Sequence, residues 1–265
     1  MTEQNLPKPR AGLNPQVLGG AIINEAMSHD NLEWLRVMKA AHNINEMINI
    51  DPKTELLNEQ AYRRALGETI KSLGEGDELY VGGADIDGLK SINDALGHAK
   101  GDEFLGIVGG IFQSVYKRGG GIAPPDAHAD NPENIARFGG DEFGFFWVER
   151  QGEAKQSLRS PSLEESSQRQ AERANQILQQ TIAGTEFAGC KPALSTAVVK
   201  YEASDTVDSL MTKADIAMYE NKYAPRRGSL TKQDIRWLSK AIPRIEAKGA
   251  RMPDWMKQEV AARVT

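Results

Sequence analysis

Residues 137–143 read Arg-Phe-Gly-Gly-Asp-Glu-Phe and lie between two apolar runs. Residues 135–138 lead into the glycines, and residues 143–148, rich in aromatic side chains, follow the acids. Short apolar runs bounded by glycine are typical of β-strands, and a short glycine-containing connection between two of them predicts a hairpin. The tip of this hairpin would carry Asp141 and Glu142 on backbone that glycine allows to turn tightly.

Two adjacent acids on a tight turn can be read in two ways. Taken alone, such a turn is more often a solvated acidic loop than a binding site. The same carboxylates would make a cation site if other oxygen ligands lay beside them. The rest of the sequence has to decide between the two.

A second acidic cluster follows another predicted strand. Residues 79–84 form an apolar run that contains two glycines, and Asp85 and Asp87 come directly after it. Acids at the end of a buried strand lie at the rim of the sheet, where binding sites tend to form. If this strand and the hairpin are neighbours in one sheet, their carboxylates converge on a site for Mg²⁺ and nucleotide phosphates. Periodicity alone leaves that pairing undecided.

The composition is that of an ordinary globular protein. The chain has 265 residues, of which 40% are hydrophobic and 26% charged, and this suffices for a sizeable core. A net charge of −5 argues against a broad nucleic-acid-binding face. The single cysteine, Cys190, excludes an internal disulfide, and no apolar run approaches the length of a membrane span. Without an apolar leader at its amino terminus, the chain is expected to be cytoplasmic.

Apolar periodicity predicts further helices and one more strand. A helix over residues 30–48 could pack on its own domain or pair with a second copy of the chain. The other predicted elements are helices over 59–72, 88–97 and 101–117, a helix beginning near Ser162, a strand over 193–200, and a helix that begins with Asp205 and Asp208.

The last part of the chain predicts two more helices. Thr231 and Asp234 fit a capping box, and Pro243 is expected to end the helix that they begin. Pro253 suits the first turn of a final helix over 253–263. We therefore divide the chain into an N-terminal segment over 1–50, a central domain over 51–228 and a helical tail over 229–265.

Four motifs in the right order carry a resemblance to a known family. Residues 139–143 match the signature of the GGDEF-domain diguanylate cyclases. Residues 85–102 resemble the metal- and guanine-binding segment of that family, residues 51–58 its opening motif, and residues 214–222 its closing helix. On these motifs, the region 51–228 is identified as a member of the family.

The resemblance implies both a fold and a reaction. The fold is a palm-like α/β (α+β) domain with a mostly antiparallel central sheet flanked by helices. In the reaction, two GTP molecules on facing subunits of a homodimer condense to cyclic di-GMP and release two pyrophosphates. Each 3′-hydroxyl attacks the α-phosphate of the other GTP, which requires positioning and charge stabilisation more than covalent help. Mg²⁺ is the implied cofactor, with Mn²⁺ as an alternative.

The resemblance also assigns the metal and catalytic residues. Asp85 would bind the metal through its carboxylate, and Ile86 through its backbone carbonyl. Asp141 and Glu142 would complete the metal site, and Asp141 stands where the family has the base for the 3′-hydroxyl. Asp87 is not a main ligand in the family, and capping the following helix is the simpler role for it.

Substrate contacts follow from the same resemblance. Backbone amides at Gly88 and Leu89, together with Lys90, would meet the terminal phosphates. Lys222 and Arg226 match later phosphate contacts of the family. Either lysine could instead be a solvated surface residue.

Asn93 and Asp102 would read the guanine base. His98 lies near them, either as a substrate contact or as a structural hydrogen-bonding group. Guanine presents N1–H and an exocyclic amine as donors, and a carboxylate only accepts. Adenine would face Asp102 with an acceptor, and sites that depend on such bonds discriminate by about 10⁴-fold.

The sequence departs from the family pattern at several positions. Many members have an Arg-x-x-Asp product-binding motif before the hairpin, where this chain has residues 131–134, Asn-Pro-Glu-Asn. A fork for guanine and phosphate needs that arginine, so we expect no product inhibition through this site. The other departures are Lys53 and Glu55 for Leu and Gly, Ser195-Thr196-Ala197 for Ser-Ile-Gly, Pro225 for Gly before Arg226, and an unusually long loop over 119–132.

Other functions stay open at this level. A degenerate member would bind GTP or a cyclic dinucleotide without turnover, although this sequence retains Asp85, Asp141 and Glu142. Asp102 argues against a mixed cyclic dinucleotide, and a non-enzymatic interaction protein would use the terminal helices. Arg137 is expected to support the hairpin and not to touch substrate.

Overall fold

The protein is described from a computed structural model, in three stretches: residues 49–116, 134–150 and 163–264. The chain divides into two compact units, residues 1–50 and 51–265. The helix predicted over 30–48 and the loop over 119–132 lie outside the described residues.

The described elements alternate between strands and helices in chain order. They are β1 (Leu57–Asn58), α1 (Glu59–Ser72), β2 (Glu78–Asp87), α2 (Leu89–Leu96), α3 (His98–Tyr116), β3 (Ile135–Gly139), β4 (Glu142–Glu149), α4 (Leu163–Ile182), β5 (Ala193–Lys200), α5 (Val207–Tyr223), α6 (Lys232–Glu246) and α7 (Asp254–Val264). Short 3₁₀ turns cover Glu186–Cys190 and Ala224–Arg226.

The strands form one mixed sheet in the order β1-β3-β4-β2-β5. β4 is antiparallel to β3 and β2, β5 is antiparallel to β2, and the short β1 is parallel to β3. The expected mostly antiparallel sheet flanked by helices is therefore confirmed. Gly82 is needed in the buried β2 because a Cβ there would come within 2.2 Å of the ring of Phe145.

Several elements have the predicted bounds, including α1, β5 and the hairpin of β3 and β4. β2 differs because it continues to Asp87, so that Asp85 and Asp87 lie within the strand instead of after it. The strand extends this far because it pairs with β4 on one side and with β5 on the other. α3 also begins earlier than predicted, at His98.

The cap of α5 differs from the predicted one. Thr206 is the N-cap, and its hydroxyl accepts a bond from the backbone N–H of Ser209, whose hydroxyl accepts from the backbone N–H of Thr206. The prediction that Asp205 and Asp208 begin this helix is therefore wrong. Asp205, the residue before the N-cap, instead accepts a hydrogen bond from the Ser209 hydroxyl over 2.9 Å.

Pro243 does not end α6, which continues through it to Glu246. A proline inside a helix removes one backbone hydrogen bond and crowds the preceding turn. Here the helix has only one more turn to complete, and the buried side chain of Ile245 packs that turn against the core. The capping box of Thr231 and Asp234 at the start of α6 is confirmed.

The larger hydrophobic core lies between the sheet and α2, α3 and α4. It contains the buried side chains of Ile92, Phe104, Phe112, Phe143 and Leu178. Full burial of each such side chain contributes about 1.5–3 kcal/mol to folding. This core fixes α2 and α3 beside the end of β2 that carries the acids.

The helical tail forms a second core together with α5. Leu238 of α6 and Met256 of α7 cluster with Met218 and Tyr219 of α5. The ring of Trp237 packs edge-on against Tyr219, with centroids 4.5 Å apart. The tail therefore belongs to the same compact unit as the sheet. Among the described helices, none has the length and apolar character needed to cross a bilayer.

Candidate active site

The pairing of β2 with β4 brings the two acidic clusters together. Asp85 and Glu142 are paired residues of the antiparallel ladder, so their side chains project from the same face of the sheet. The backbone N–H of Ile86 donates to the carbonyl of Asp141 over 3.0 Å and joins the hairpin tip to β2. The two acidic clusters, whose proximity the sequence left undecided, are therefore adjacent.

Arg137 binds the backbone of the hairpin tip. Its Nε and Nη2 donate to the carbonyl of Gly140 over 3.0 and 2.9 Å, and its Nη1 donates to the carboxylate of Asp51 over 2.7 Å. The two side chains of this ion pair are only 9% and 14% exposed. Arg137 thus contacts the hairpin as expected, and Asp51 is a partner that the sequence did not reveal.

A buried ion pair lies at the centre of the site. The ammonium of Lys222, from α5, contacts the carboxylate of Asp85 and lies 3.0 Å from that of Asp87. Only 12% of the Lys222 side chain and 5% of the Asp85 side chain are exposed. The alternative that Lys222 is a solvated lysine is therefore wrong.

Asp87 does not cap α2. Its carboxylate accepts a hydrogen bond from the hydroxyl of Ser195 over 2.5 Å and also faces Lys222. The N-cap of α2 is Gly88, which makes no side-chain capping bond and has a φ of 90°. Asp87 thus belongs to the acidic group around Lys222, and the simpler role suggested for it is wrong.

The protonation of Asp85 depends on a neighbouring cation. Burial raises the pKa of Asp85 to about 7, the Lys222 ammonium opposes this rise, and the charge of Asp141 adds to it. For Lys222, burial lowers the pKa, but the charges of Asp85 and Asp87 outweigh it, so that its pKa is raised. A further positive charge at this position would favour fully ionised Asp85 at neutral pH.

The donor chemistry here fits a hard divalent cation. Asp85, Asp141 and Glu142 offer carboxylate oxygens, and Ile86 offers a backbone carbonyl at the same end of β2. The Lys222 ammonium already provides a positive charge next to the Asp85 carboxylate. Within the described residues, no three acidic, histidine or cysteine side chains lie close enough together to hold an ion as they stand. A bound ion would therefore require these side chains to adjust.

Two residues that the sequence did not single out contact Glu142. Tyr219 of α5 donates its hydroxyl to a carboxylate oxygen of Glu142 over 3.3 Å. Nη2 of Arg244, from the tail helix α6, lies 3.8 Å from the same oxygen. No sequence signal marks Arg244, because only the packing of α6 on α5 brings it to the hairpin.

Asp215 is a further acid of α5 in this environment. Burial raises the pKa of Asp215 to about 7, and the negative charge of Glu142 raises it further. Lys248 and Arg244 of the tail oppose the rise. The tail thus adds positive charge beside two acids of the site.

The predicted phosphate contacts at α2 lie at its first turn. Gly88 precedes the helix, and Leu89 begins it, so that the backbone N–H groups there belong to an open helix N-terminus. Lys90 is exposed and forms a 2.5 Å ion pair with Asp94, one turn further along. The Lys90 ammonium thus lies at the surface of α2, paired with Asp94.

Arg226 lies in the 3₁₀ turn that contains Pro225. Its guanidinium stacks over the ring of Tyr223, 5.1 Å from the centroid, and lies 3.5 Å from Asp234 of α6. Its Nε also donates to the backbone carbonyl of Lys222 over 3.3 Å. Pro225 therefore leaves Arg226 beside the last turn of α5, close to Lys222.

The predicted guanine contacts lie where α2 meets α3. The amide oxygen of Asn93 packs against Gly101, where a Cβ would come within 1.9 Å of it. The neighbouring Asp102 is paired with Lys53, whose Nζ donates to Oδ1 over 2.6 Å. His98, the first residue of α3, is exposed. Asn93 and Asp102 thus lie at the same end of α3, and Lys53 joins them from the opening segment.

Comparison with known proteins gives a family match over most of this unit. The family model described as "Diguanylate cyclase, GGDEF domain" matches residues 48–228. The match ends before α6, so the tail helix that contacts Glu142 and Arg226 lies beyond it.

Curated relatives of the chain are named for different activities. The chain is 28% identical over 217 residues to the diguanylate cyclase DgcP of Escherichia coli, which covers 78% of this chain and 53% of that protein. It is 34% identical over 109 residues to the cyclic di-GMP phosphodiesterase PdeB of Shewanella oneidensis, covering 41% of this chain and 11% of that protein. The chain therefore spans about half the length of the first relative and about a tenth of the second.

Solved structures support the fold. A crystal structure of the coiled coil and GGDEF domain of DgcB from Caulobacter crescentus, in complex with c-di-GMP, matches with a TM-score of 0.51 and 20% identity. The match covers 76% of this chain and 95% of that one.

Proposed function

Because the chain belongs to the GGDEF-domain family of diguanylate cyclases, we propose that it condenses two molecules of GTP to cyclic di-GMP and two pyrophosphates. The observation that carries this proposal is the pairing of Asp85 with Glu142 across β2 and β4, beside the buried Lys222. All three acids of the proposed metal site are present at one end of the sheet. GTP is a cytoplasmic metabolite, and we assign the reaction to that compartment.

Each residue of the site has a part in this proposal. When bound, Mg²⁺ or Mn²⁺ would neutralise charge on the triphosphate oxygens next to Asp85, Ile86, Asp141 and Glu142. Asp141, at the hairpin tip, accepts the proton of the 3′-hydroxyl. Glu142 keeps its orientation through the hydroxyl of Tyr219. The backbone that carries these groups is held by the pairing of β2 with β4, and the side chains close on the ion when it binds with the substrate.

The phosphates and the base meet different elements. Backbone amides at Gly88 and Leu89, with Lys90 nearby, bind the terminal phosphates at the open N-terminus of α2. Lys222 and Arg226 bind the phosphates from the end of α5. The guanine contacts Asn93 and Asp102, with His98 at the edge of the base site.

Turnover requires two chains face to face, because each chain holds one GTP and the reaction joins two. The homodimer forms and separates with protein concentration unless another segment holds it together. We therefore expect the rate per chain to rise with protein concentration in the proposed enzyme.

We expect no product-inhibition site of the Arg-x-x-Asp type before the hairpin of the proposed enzyme. No arginine occurs in residues 119–136, and the register of the Arg-x-x-Asp motif holds residues 131–134 without one. The described residue of this segment, Asn134, donates its amide to the carbonyl of Phe146 over 2.7 Å and so is engaged with the sheet. Inhibition of turnover by micromolar cyclic di-GMP, relieved by changing Asn131 or Asn134, would count against this point.

A second function has one observation in its favour. Two carboxylates that would face ligand, Asp85 and Asp102, are each paired with a lysine, Lys222 and Lys53. Because the Lys222 ammonium already engages Asp85, a cation would have to compete with it for that carboxylate, and this would suit a module that binds GTP or a cyclic dinucleotide without turning it over.

One assay separates the two functions. Purified protein is incubated with GTP and Mg²⁺ over a range of protein concentrations, and cyclic di-GMP and pyrophosphate are measured. The cyclase makes both products, ATP does not replace GTP, and Asp141→Asn removes turnover while the circular dichroism spectrum is unchanged. Glu68→Gln, an exposed acid on α1, is the matched control and keeps full activity. GTP binding without product, even at high protein concentration, would favour the binding module.

A further inference from the structure

Lys53 contacts the residue that is expected to read the base. Its Nζ lies 2.6 Å from Oδ1 of Asp102, although the two residues are 49 positions apart in the sequence. Both side chains are partly exposed, Lys53 by 42% and Asp102 by 47%, so the pair is open to a ligand. The family pattern has leucine at this position, and a leucine could make no such contact.

The backbone that carries Lys53 is fixed. The carboxylate Oδ1 of Asp51 accepts bonds from the backbone N–H groups of Lys53 and Thr54 over 3.2 and 3.0 Å, and the other oxygen of Asp51 pairs with Arg137. The segment also lies against α3, since a Cβ at Gly109 would come within 3.0 Å of the Thr54 carbonyl. The position from which Lys53 reaches Asp102 is therefore set by the hairpin and by α3.

Three polar groups converge at the start of α3. Asn93 lies against Gly101, Asp102 follows Gly101 directly, and the Lys53 ammonium completes the group. An ammonium has three N–H donors, so that Nζ can keep its bond to Oδ1 and still donate to a ligand. A carboxylate has two oxygens, and only Oδ1 is engaged by Lys53 in the structure.

We propose that Lys53 is a specificity-determining residue that donates to O6 of the guanine base, while Asp102 accepts N1–H and the exocyclic amine. This rests on the proposed function, since it concerns the base of the same GTP. The edge of guanine presents an acceptor followed by two donors, and the pair Lys53 and Asp102 presents a donor followed by two acceptors. Together, the two side chains can bond to all three polar groups of the guanine edge, whereas Asp102 alone would leave O6 hydrogen-bonded to water.

Adenine is mismatched at both groups. Its 6-amino group would point donors at the Lys53 ammonium, and its N1 would face the Asp102 carboxylate, acceptor against acceptor. Lys53 therefore adds discrimination at the 6-position, which Asp102 does not contact. Unpaired polar groups of this kind are what allow a site to reject the wrong base.

Binding without turnover provides the test. 3′-Deoxy-GTP lacks the attacking hydroxyl, so its affinity with Mg²⁺ can be measured by calorimetry on the full chain. Lys53→Met should weaken binding about 10-fold, as expected for a lost hydrogen bond to a charged donor. Lys53→Arg, which keeps a donor, should stay within about 3-fold of the wild type. Lys71→Met on α1, where the lysine is 72% exposed, removes the same charge elsewhere and should leave binding unchanged.

A second nucleotide separates a bond to O6 from general attraction of the triphosphate. 3′-Deoxy-6-thio-GTP keeps N1–H and the exocyclic amine for Asp102 but carries sulfur, a weak hydrogen-bond acceptor, in place of O6. Against this nucleotide, Lys53→Met should lose less than about 2-fold in affinity, because Lys53 gains little from a hydrogen bond to sulfur. Equal losses with both nucleotides would overturn the proposal, and so would tighter binding of 3′-deoxy-GTP by Lys53→Met, which would make Lys53 a competitor for Asp102.

The proposed function and the proposed role of Lys53 can be refuted independently of each other. If the wild type binds no 3′-deoxy-GTP, the proposed function fails, whatever Lys53 does. If the wild type binds it and Lys53→Met binds it equally well, only the role of Lys53 fails. Thermal unfolding of each variant shows that the comparison is made on folded protein.

Discussion

Lys222 and Asp85 form the buried ion pair of the site although they are 137 residues apart in the sequence. Asp85 comes from the central strand β2, and Lys222 from the helix α5 that packs on the sheet. Lys222 places a positive charge beside Asp85, and this charge opposes the rise in the pKa of that carboxyl caused by burial. A divalent cation and a triphosphate would each engage one member of this pair.

The first prediction concerns the cation. Asp85→Asn keeps the shape of the side chain but removes the charge that attracts the ion, so Mn²⁺ affinity measured by calorimetry should fall about 100-fold. The control is Glu68→Gln, which removes the same charge from the exposed surface of α1. Equal Mn²⁺ binding by Asp85→Asn and the control would show that the ion does not bind here.

The second prediction concerns the support of the hairpin. Arg137→Met leaves the largely buried Asp51 without its partner and frees the carbonyl of Gly140. Removing one member of a buried pair costs about 3–5 kcal/mol, so the free energy of unfolding in urea should drop by that order. Adding Asp51→Asn should recover part of the loss. Arg236→Met, an exposed arginine on α6, serves as the control and should unfold like the wild type.

The third prediction concerns the tail. Leu238 of α6 is fully buried among side chains of α5, so Leu238→Ala should lower the free energy of unfolding by about 2–4 kcal/mol. Because the tail shares a core with the sheet unit, the variant should still unfold in one transition. Two separate transitions, one of them unchanged from the wild type, would show that the tail folds independently. Lys240→Ala, on the exposed face of the same helix, is the matched control.

The fourth prediction concerns pH. The pKa of Asp215 is raised by burial from 3.8 to about 7, so between these values the folded protein holds a proton that the unfolded chain releases. Stability of the metal-free protein should therefore fall as pH rises from 4 to 8, by roughly 2–4 kcal/mol for this group. Asp215→Asn should flatten the dependence of the free energy of unfolding on pH, and Asp85 should retain a part of it in the same direction. A slope that is unchanged in Asp215→Asn would contradict the assignment.

The fifth prediction concerns a strained residue. Glu55 has a φ of 58° at the position where the family has glycine. A side chain in the left-handed region costs about 1–2 kcal/mol, and glycine would remove this cost. Part of the gain is offset because glycine makes the unfolded chain more flexible and so more favourable in entropy. Glu55→Gly should therefore stabilise the protein by about 0.5–1 kcal/mol in thermal unfolding. Glu75→Gly, at a loop position without a positive φ, should be neutral or destabilising.

Much of the local structure follows from the sequence. The bounds of α1 and β5 and the hairpin of β3 and β4 agree with apolar periodicity and glycine placement, since these depend on neighbouring residues. Two helix ends do not. The cap at Thr206 is a local capping box in which serine stands where glutamate or glutamine is usual, and the continuation of α6 through Pro243 accompanies the burial of Ile245, which is a property of the fold.

By itself, the sequence determined the family, the hairpin that carries Asp141 and Glu142, and a buried strand with Asp85 and Asp87 near its end. Each of these features depends on residues that are close together in the chain, so it can be predicted from the sequence. Only the tertiary structure decided that Asp85 faces Lys222, that Arg137 reaches Asp51, and that Lys53 contacts Asp102. The physical reason is that strand register and helix packing set the distance between residues far apart in the chain, and a one-residue shift in register would turn each strand's side chains to the other face.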